Sequence, residues 1–364
     1  MKVVLIKGSM LTLTLSAALV LTACGGGGST SSNAQATNNT NTTSTNTAQS
    51  TAIVISKDSA QQITADSVQS GDSLSTYSDV SKGFVAGVQV ETNIIAEDLS
   101  NNALAILYKA NALPRDNVAV GITKPASAPC TNGGSLSVNL NYLAESVISK
   151  GDTLNISASN CIENGITING ALNFTFNSDI TNPSSLTATG IWKASMTIGF
   201  SNFKIASSTR TSLADGDLSI AFDQNGSNSI FAQITNNQLT LQRGLTSDIA
   251  QGKPSQVLTL NQVNLSMTRS GGNYVRTDNY NAKGSSVKLG TFDYSVVNLL
   301  PLKGINGSLP SEGKLKIHSA SKGTVIATVL DSNNVRLEID ANDDGITDSD
   351  GTSIVSWTQL RALL

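Results

Sequence analysis

The residues best suited to chemistry in this chain lie in one acidic segment near its C-terminal end. Asp340, Asn342 and Asp344 stand at alternate positions, Ile346 follows at the same spacing, and Asp348 comes two residues later. Side-chain oxygens and a backbone carbonyl at positions one, three, five, seven and nine of a loop are the ligands that Ca²⁺ prefers. We therefore expect a calcium site formed by these residues, and calcium as the cofactor.

The acidic segment departs from a signalling EF-hand in two ways. Gly351 stands where a bidentate glutamate belongs, and the loop follows a strand pattern at Ile339 instead of a helix. The loop resembles the calcium loops of dockerin and thrombospondin-like repeats, with Asp350 as a replacement carboxylate and an affinity of roughly 0.1 to 1 mM. The alternative is an Asp- and Gly-rich turn that joins the strand of Leu337 to that of Ile354.

Catalytic signatures are scarce in the rest of the sequence. His318 is the only histidine, so neither a histidine-based zinc site nor a two-histidine mechanism can be built. There is no Gly-x-Ser-x-Gly elbow, and the Ser-x-x-Lys pattern lacks its companion motifs. We expect no enzymatic activity and no catalytic residue, and we keep a hydrolase with an unrecognised site as the least favoured alternative.

The first 23 residues have the order of an export signal. Lys2 and Lys7 precede an apolar stretch of about 15 residues, shorter than the roughly 20 that a membrane-spanning helix needs. The small residues before Cys24 resemble the lipobox of bacterial lipoproteins, in which the cysteine is acylated and becomes the first residue. The resemblance implies lipid attachment at Cys24 and a stable membrane anchor, since each buried methylene contributes roughly 0.8 kcal/mol.

The residues after Cys24 indicate location and a tether. Lipoproteins of Gram-negative bacteria are kept at the inner membrane chiefly by an aspartate at the position of Gly25, so the resemblance implies the outer membrane, with the body facing the periplasm or the cell surface. Residues 24–52 are almost all Gly, Ser, Thr, Asn, Gln and Ala, which predicts a disordered tether. Residues 53–364 remain as a single body.

Charge and cysteine content limit the partners of this body. A net charge of -3 with 13% charged residues provides no basic surface, so we expect no nucleic-acid binding. Cys130 and Cys161 are an even pair in an exported chain, which predicts a disulfide. A redox or metal pair is the disfavoured alternative, because Cys-x-x-Cys spacing is absent.

The pattern of apolar residues predicts a mainly β body. Residues 165–177 alternate apolar and polar side chains, and shorter alternating runs end in Asn-, Asp- and Gly-rich turns such as 331–334. The alternation changes parity after Leu260 and after Leu289, which predicts a bulge or tight bend at each place, with Gly290 well placed for the second. Residues 93–111 carry the helical pattern. We expect a large antiparallel meander, as a curved sheet, a sandwich or a half-barrel, with one N-terminal helix.

Three sequence features resemble a group of uncharacterised proteobacterial lipoproteins. They are the Cys-x-x-Gly-Gly-Ser run from Cys130, the Gly-Asp-Thr run from Gly151 with Cys161 after it, and the Asn-Gly-Ala-Leu run from Asn169. An Asp-Gly loop before a Ser-Trp dipeptide, here Ser356-Trp357, is a further shared feature. The resemblance implies the disulfide and the β fold, and it carries over no activity to this chain. Residues 141–144 lack the acidic turn that such proteins often carry there.

These observations favour a membrane-anchored envelope lipoprotein that acts as a noncatalytic binding or structural module, stiffened by calcium if the loop binds it. The alternative is a carrier or chaperone that binds an apolar ligand in a curved sheet. That alternative predicts an open apolar pocket lined by residues such as Ile166, Phe174 and Phe176.

Overall fold

The structure is a computed structural model, and it describes residues 52–86, 123–141, 149–163, 165–181, 190–226 and 229–364. The chain divides into two units, residues 1–48 and residues 49–364, and every described element belongs to the second. Three helices are described: α1 (Lys57–Ala86), α2 (Thr246–Ala250) and α3 (Trp357–Ala362).

The described strands form one large antiparallel sheet, which confirms the mainly β prediction. The strands are β1 (Thr123–Pro129), β2 (Ser135–Asn141), β3 (Thr153–Glu163), β4 (Ile166–Phe176), β5 (Ile191–Ala206), β6 (Arg210–Asn225), β7 (Ser229–Thr235), β8 (Gln238–Leu245), β9 (Gln256–Ser270), β10 (Asn273–Ser286), β11 (Gly290–Ile305), β12 (Glu312–Ser319), β13 (Thr324–Val329), β14 (Asn334–Asp340) and β15 (Thr352–Ser356). Each strand pairs with its neighbour in sequence, apart from the β7–β8 segment, so the sheet is a meander.

Strands β7 and β8 occupy a single line between β6 and β9. Both pair with β6 on one side and β9 on the other, over successive halves of those longer strands. The interruption falls at Asn236 and Asn237. The side chain of Asn236 replaces the backbone hydrogen bonds that β9 lacks at this point. Its Nδ2 donates to the carbonyl of Leu260, and its Oδ1 accepts from the amide of Val263.

Helix α1 lies against the inner face of this sheet. It contacts β6, β7 and β9 and also β12, β13 and β14, which are far apart in the strand order, so the sheet must curve around the helix. Residues 63–68 are buried on every side of the helix. The described residues therefore form a curved sheet with a helix on its concave side, and not a sandwich of two sheets.

The buried surface of α1 is made largely of small and polar side chains. Thr64, Ser67, Ser70 and Ser73 are all buried, together with a few apolar residues. Small side chains let the strand side chains approach the helix closely, but they produce no apolar period of 3.6 residues. The sequence did not predict this helix for that reason, and the predicted helix at 93–111 lies outside the described residues.

The two parity changes have different structural causes. In β9, Gln262 takes a positive φ of 52°, and the pairing with β10 shifts register between Asn279 and Asn281, as in a bulge. The second change is a hairpin turn, because β10 ends before Val287 and β11 begins at Gly290. The bulge confirms the first prediction, and the turn is the tight bend predicted at the second, with Gly290 at a positive φ of 66°.

Candidate functional site

A cavity of about 720 Å³ opens between α1, the paired ends of β6 and β8, and α3. Its apolar wall comes from four separate segments of the chain. The main apolar lining residues are Val68, Leu245, Leu309, Trp357, Leu360 and Leu364. The volume falls within the range of about 300 to 1,000 Å³ that is usual for small-molecule sites.

Helix α3 holds two of these apolar side chains in place. Ser356 caps the helix: its Oγ accepts from the amide of Gln359 at 3.1 Å, and the Gln359 Oε1 accepts from the Ser356 amide at 2.8 Å. This reciprocal capping box fixes the first turn. Trp357 and Leu360 are consequently buried at the cavity wall, three residues apart on one helix face.

Three arginines line the same cavity. Arg210 and Arg243 belong to β6 and β8, where Arg210 is paired with Leu245 and Arg243 with Ser212. That register makes the two arginines diagonal neighbours on one face, with backbones roughly 7 to 8 Å apart. The third arginine, Arg361, belongs to α3. Within the described ranges, the guanidinium groups of Arg210 and Arg361 have no carboxylate partner.

A buried carboxylate of α1 lies close to this group. Asp66 is only 8% exposed, and its side chain accepts a hydrogen bond from Gln62 at 3.2 Å. Burial raises the pKa of Asp66 to about 6, although the positive charges of Arg243 and Lys288 act in the opposite direction. The helix therefore carries a carboxyl group with a raised pKa near Arg243.

A smaller cavity of about 140 Å³ shares Asp72, Leu309 and Arg361 with the larger one. At its wall the Arg276 side chain is 5% exposed and forms ion pairs with Asp72 of α1 and Asp278 of β10. Burial works against the charge on Arg276, but the carboxylates of Asp278 and Asp72 outweigh it and hold its pKa above the usual value. The pKa of Asp278 is raised, mainly by burial.

Two donors near these cavities lack an acceptor in the described structure. They are the indole Nε1 of Trp357 and the Nη2 of Arg276, both on side chains that are at least nine-tenths buried. A buried donor without an acceptor costs about 1 to 3 kcal/mol. Tyr274, beside Arg276, has a pKa raised to about 12, chiefly by burial. Two buried donors at the cavity walls are therefore available to an acceptor, beside the carboxylates of Asp72 and Asp278.

The cavity residues were not recognised from the sequence. Arg210, Arg243 and Arg361 come from distant segments, and nothing in their spacing joins them. The sequence did contain one signal for the ion pairs of Arg276. Arg276 and Asp278 stand at alternate positions of β10 with Tyr280, which is buried, so all three side chains point to the same face of the strand. Charged residues at inward-facing positions of a strand predict a buried ion pair or a site.

The predicted calcium loop forms the turn between β14 and β15. The side chains of Asp340, Asn342 and Asp344 accept from backbone amides of the same loop, for example Asp340 Oδ2 from Gly345 at 2.8 Å and Asn342 Oδ1 from Asp344 at 2.9 Å. Asp344 Oδ1 accepts from the amide of Ile346 at 2.8 Å. The loop thus folds as an Asp- and Gly-rich turn in which the predicted ligands are close in sequence and engaged with the backbone.

The carboxylates of this loop are not drawn into one cluster. Asp348 Oδ2 instead accepts from the amide of Ala341 at 3.1 Å. In the described part of the chain, the group of three acidic or thiol ligands whose atoms lie within 4.8 Å of one another is Cys130, Cys161 and Glu163. Calcium binding at Asp340, Asp344 and Asp348 therefore requires the carboxylates to rotate towards a common centre, and it stays a prediction.

Asp343, which the calcium pattern does not use, anchors the loop to the neighbouring β12–β13 turn. Its Oδ2 accepts from the amide of Gly323 at 2.7 Å, and its Oδ1 accepts from Thr324 Oγ1 at 3.1 Å. The Gly323 hydrogen bond is the main cause that lowers the pKa of Asp343. His318 contacts Thr324 through Nδ1 at 3.0 Å, so the only histidine belongs to this anchor.

Cys130 and Cys161 form the predicted disulfide. It joins the end of β1 to β3, and the carboxylate of Glu163 beside it accepts from the amide and the hydroxyl of Thr131 at 3.0 and 2.6 Å. The thiols are consumed by the bond, so the cluster with Glu163 is a structural link and not a metal site.

Other predicted site residues lie elsewhere. Phe174 and Phe176 are buried in the core, and Ile166 packs against it, so none of the three lines the cavity beside α1. Cys24 lies outside the described residues. No helix among the described residues is long and apolar enough to cross a bilayer.

Comparisons with known proteins add no relative. No family model matches the chain, and neither the curated proteins nor the solved structures contain a significant match.

Proposed function

We propose that this protein is a bacterial envelope lipoprotein, anchored in the outer membrane through Cys24, whose curved sheet acts as a noncatalytic binding module. The cavity between α1 and α3 carries the proposal. It combines a large apolar wall with a few polar groups, as ligand sites do. Its titratable lining groups are three arginines and Asp72, which is already held in an ion pair with Arg276. Arginines bind and orient anions but are poor proton donors and acceptors.

The N-terminal sequence supports the anchor. It has the features of an acylated export signal: two lysines, Lys2 and Lys7, then a short apolar stretch, and then small residues before Cys24. The composition of residues 24–52 favours a tether between this anchor and the body. The proposed relationship is with the uncharacterised proteobacterial lipoproteins that share the Cys130 to Cys161 region.

A carrier or chaperone of apolar ligands is the second candidate. The curved sheet and the apolar wall favour it, since a carrier must shield an apolar molecule from water. The ligand space differs from the predicted one, because it lies between α1 and α3 instead of beside Phe174 and Phe176. A fixed binding module and a carrier differ in whether the bound molecule is passed on to a membrane.

The anchor is tested by expressing the full chain in a Gram-negative host and measuring the intact mass and membrane fraction of the product. We expect a chain that begins at Cys24, carries acyl groups and sediments with the outer membrane. Cys24→Ser should lose the acyl mass and the anchor. Gly25→Asp is the matched control, and it should keep the acyl groups but move to the inner membrane.

A wild-type product without acyl groups on Cys24, or one found free in the periplasm, would contradict the anchor. An acylated product whose Gly25→Asp variant stays in the outer membrane would contradict only the sorting part of the proposal. The calcium loop, which the proposal includes as a stiffening element, is tested separately by thermal melting.

A further inference from the structure

We infer that the cavity between α1 and α3 is a binding site for an amphipathic acid, a molecule with an acyl chain and a carboxylate or phosphate head. The inference rests on the proposed binding function and names its ligand class. It is carried by two properties of one cavity, an apolar wall and an excess of positive charge.

The apolar wall fits an acyl chain. Val68, Trp357 and Leu360 are between 2% and 6% exposed, and Leu309 is partly buried against the core. These side chains are held by α1 and by the capped helix α3, so the wall is formed before a ligand arrives. A compact anion such as free phosphate would leave this wall in contact with water, and an acyl chain would cover it.

The positive charge fits an acidic head. Arg210, Arg243 and Arg361 line the cavity, and Asp72 is the carboxylate among its described lining residues. Asp72 is already paired with Arg276, and Asp66 lies near Arg243, so Arg210 and Arg361 are the arginines without a carboxylate partner among the described residues. A guanidinium group binds a carboxylate or phosphate through two parallel hydrogen bonds. A cationic or uncharged ligand would offer no anionic group to Arg210 and Arg361.

Two buried donors at the cavity walls need acceptors. The Trp357 Nε1 and the Arg276 Nη2 have no acceptor among the described residues. Arg361 lines both cavities, so an anion held there is next to the Arg276 cluster as well. A ligand that is rich in acceptor oxygens at one end and apolar at the other satisfies both features.

The test uses the full chain, purified in a nonionic detergent and photolabelled with a palmitic acid that carries a diazirine and an alkyne. The methyl ester of the same probe has an identical chain but no charge. Palmitic acid and lysophosphatidic acid serve as competitors and distinguish a carboxylate head from a phosphate head. Labelled peptides are identified by mass spectrometry.

We expect the acid probe to label peptides that contain Val68 or Leu360, and the methyl ester to label them about tenfold less, because the charge-assisted hydrogen bonds are lost. The double variant Arg210→Gln/Arg361→Gln should reduce labelling by the acid by a similar factor. Both arginines are exposed, so this variant should fold. Val68→Trp should block labelling by filling the cavity.

Lys316→Gln is the matched control, since Lys316 is an exposed cation on β12 outside the cavity lining, and it should leave labelling unchanged. Equal labelling by acid and ester, labelling outside the cavity, or full labelling of the double arginine variant would each overturn the inference. The intact mass of the same samples reports acylation at Cys24, so failure of the anchor and failure of the cavity are separate results.

Discussion

Arg276 of β10 and Asp72 of α1 form an ion pair that fastens the inner helix to the sheet. Arg276 also binds Asp278 of its own strand, with Nε 2.9 Å from Asp278 Oδ1. The Asp278 side chain is 2% exposed, so it depends on Arg276 for neutralisation. The cluster links the helix, which the curved sheet surrounds, to the wall of the smaller cavity.

Replacing Arg276 by methionine should lower the free energy of unfolding by about 3 to 5 kcal/mol, because Asp278 is left buried without a partner. Urea unfolding followed by circular dichroism measures the change. Lys303→Met is the control, since Lys303 and Glu312 form an ion pair at 3.0 Å between side chains that are at least half exposed. That variant should lose less than about 1 kcal/mol. Equal losses in the two variants would show that the buried cluster contributes no more to stability than an exposed ion pair.

Gly71 lets α1 approach this cluster. A Cβ added at Gly71 would lie 2.6 Å from Asp278 Oδ2 and 3.1 Å from Arg276 Nη2. Gly71→Ala should therefore destabilise the fold by about 1 to 3 kcal/mol, although alanine has the higher helix propensity by about 1 kcal/mol. Gln61→Ala, at a half-buried position of the same helix, should be close to neutral. A stabilised Gly71→Ala variant would mean that the helix does not pack this closely.

The sequence predicted the sheet well because its strands carry a local signal. In β4 the buried residues Leu172, Phe174 and Phe176 alternate with residues that are more exposed, and the β13–β14 turn falls at the predicted Asp331 to Asn334 cluster. The meander follows from such runs joined by short turns. The bulge at Gln262 was visible as a change of parity.

The sequence did not predict α1 or the cavity, for physical reasons. The helix buries serine and threonine inside a curved sheet, so its pattern lacks the apolar period that marks a packed helix. The cavity brings together Arg210, Arg243 and Arg361, and this proximity exists only through the β6–β8 register and the position of α3. A site made by tertiary packing of separated residues leaves no motif.

Asp66 should make stability depend on pH. Because its pKa is raised from 3.8 to about 6 by burial, the folded state keeps the proton that the unfolded state loses. The stabilising effect is complete below about pH 4 and is lost as the pH rises through about 6, and it amounts to about 3 kcal/mol. Asp66→Asn should remove this part of the pH dependence in urea unfolding measured from pH 4 to 7.

Asp331 provides a contrast of opposite sign. Hydrogen bonds from the Asn333 amide and the Asn334 side chain lower its pKa, so its contribution is present above pH 4 and is lost as the pH falls through the lowered value. The stability of Asp331→Asn relative to the wild type should therefore fall as the pH rises. The stability of Asp66→Asn relative to the wild type should instead increase as the pH rises. The same pH slope in the wild type and in Asp66→Asn would show that Asp66 is not a buried acid.

The Cys130–Cys161 disulfide should stabilise the β1–β3 region. It closes a loop with a sequence separation of 31 residues, and the double variant Cys130→Ser/Cys161→Ser should lose about 3.5 kcal/mol by the chain-entropy model. Urea unfolding with and without a reducing agent measures the loss. Reduction should affect the wild type but not the double variant. A wild type insensitive to full reduction would contradict the prediction.

The loop from Asp340 to Asp348 decides whether calcium stiffens the end of the sheet. We expect the melting temperature to rise with calcium and not with magnesium, because the loop offers flexible oxygen ligands and Mg²⁺ demands a smaller octahedral site. With a dissociation constant of roughly 0.1 to 1 mM, 10 mM calcium should stabilise the fold by about 1.5 to 3 kcal/mol.

Asp344→Asn is the variant that tests this site. It keeps an oxygen that can accept from the Ile346 amide, as Asp344 Oδ1 does at 2.8 Å, but it removes a charge that calcium needs. The variant should melt like the wild type without calcium and lose most of the calcium-dependent rise. If the wild type shows no rise, the loop is a turn that its own backbone hydrogen bonds hold in place. Asp343 then remains its main anchor, through Gly323.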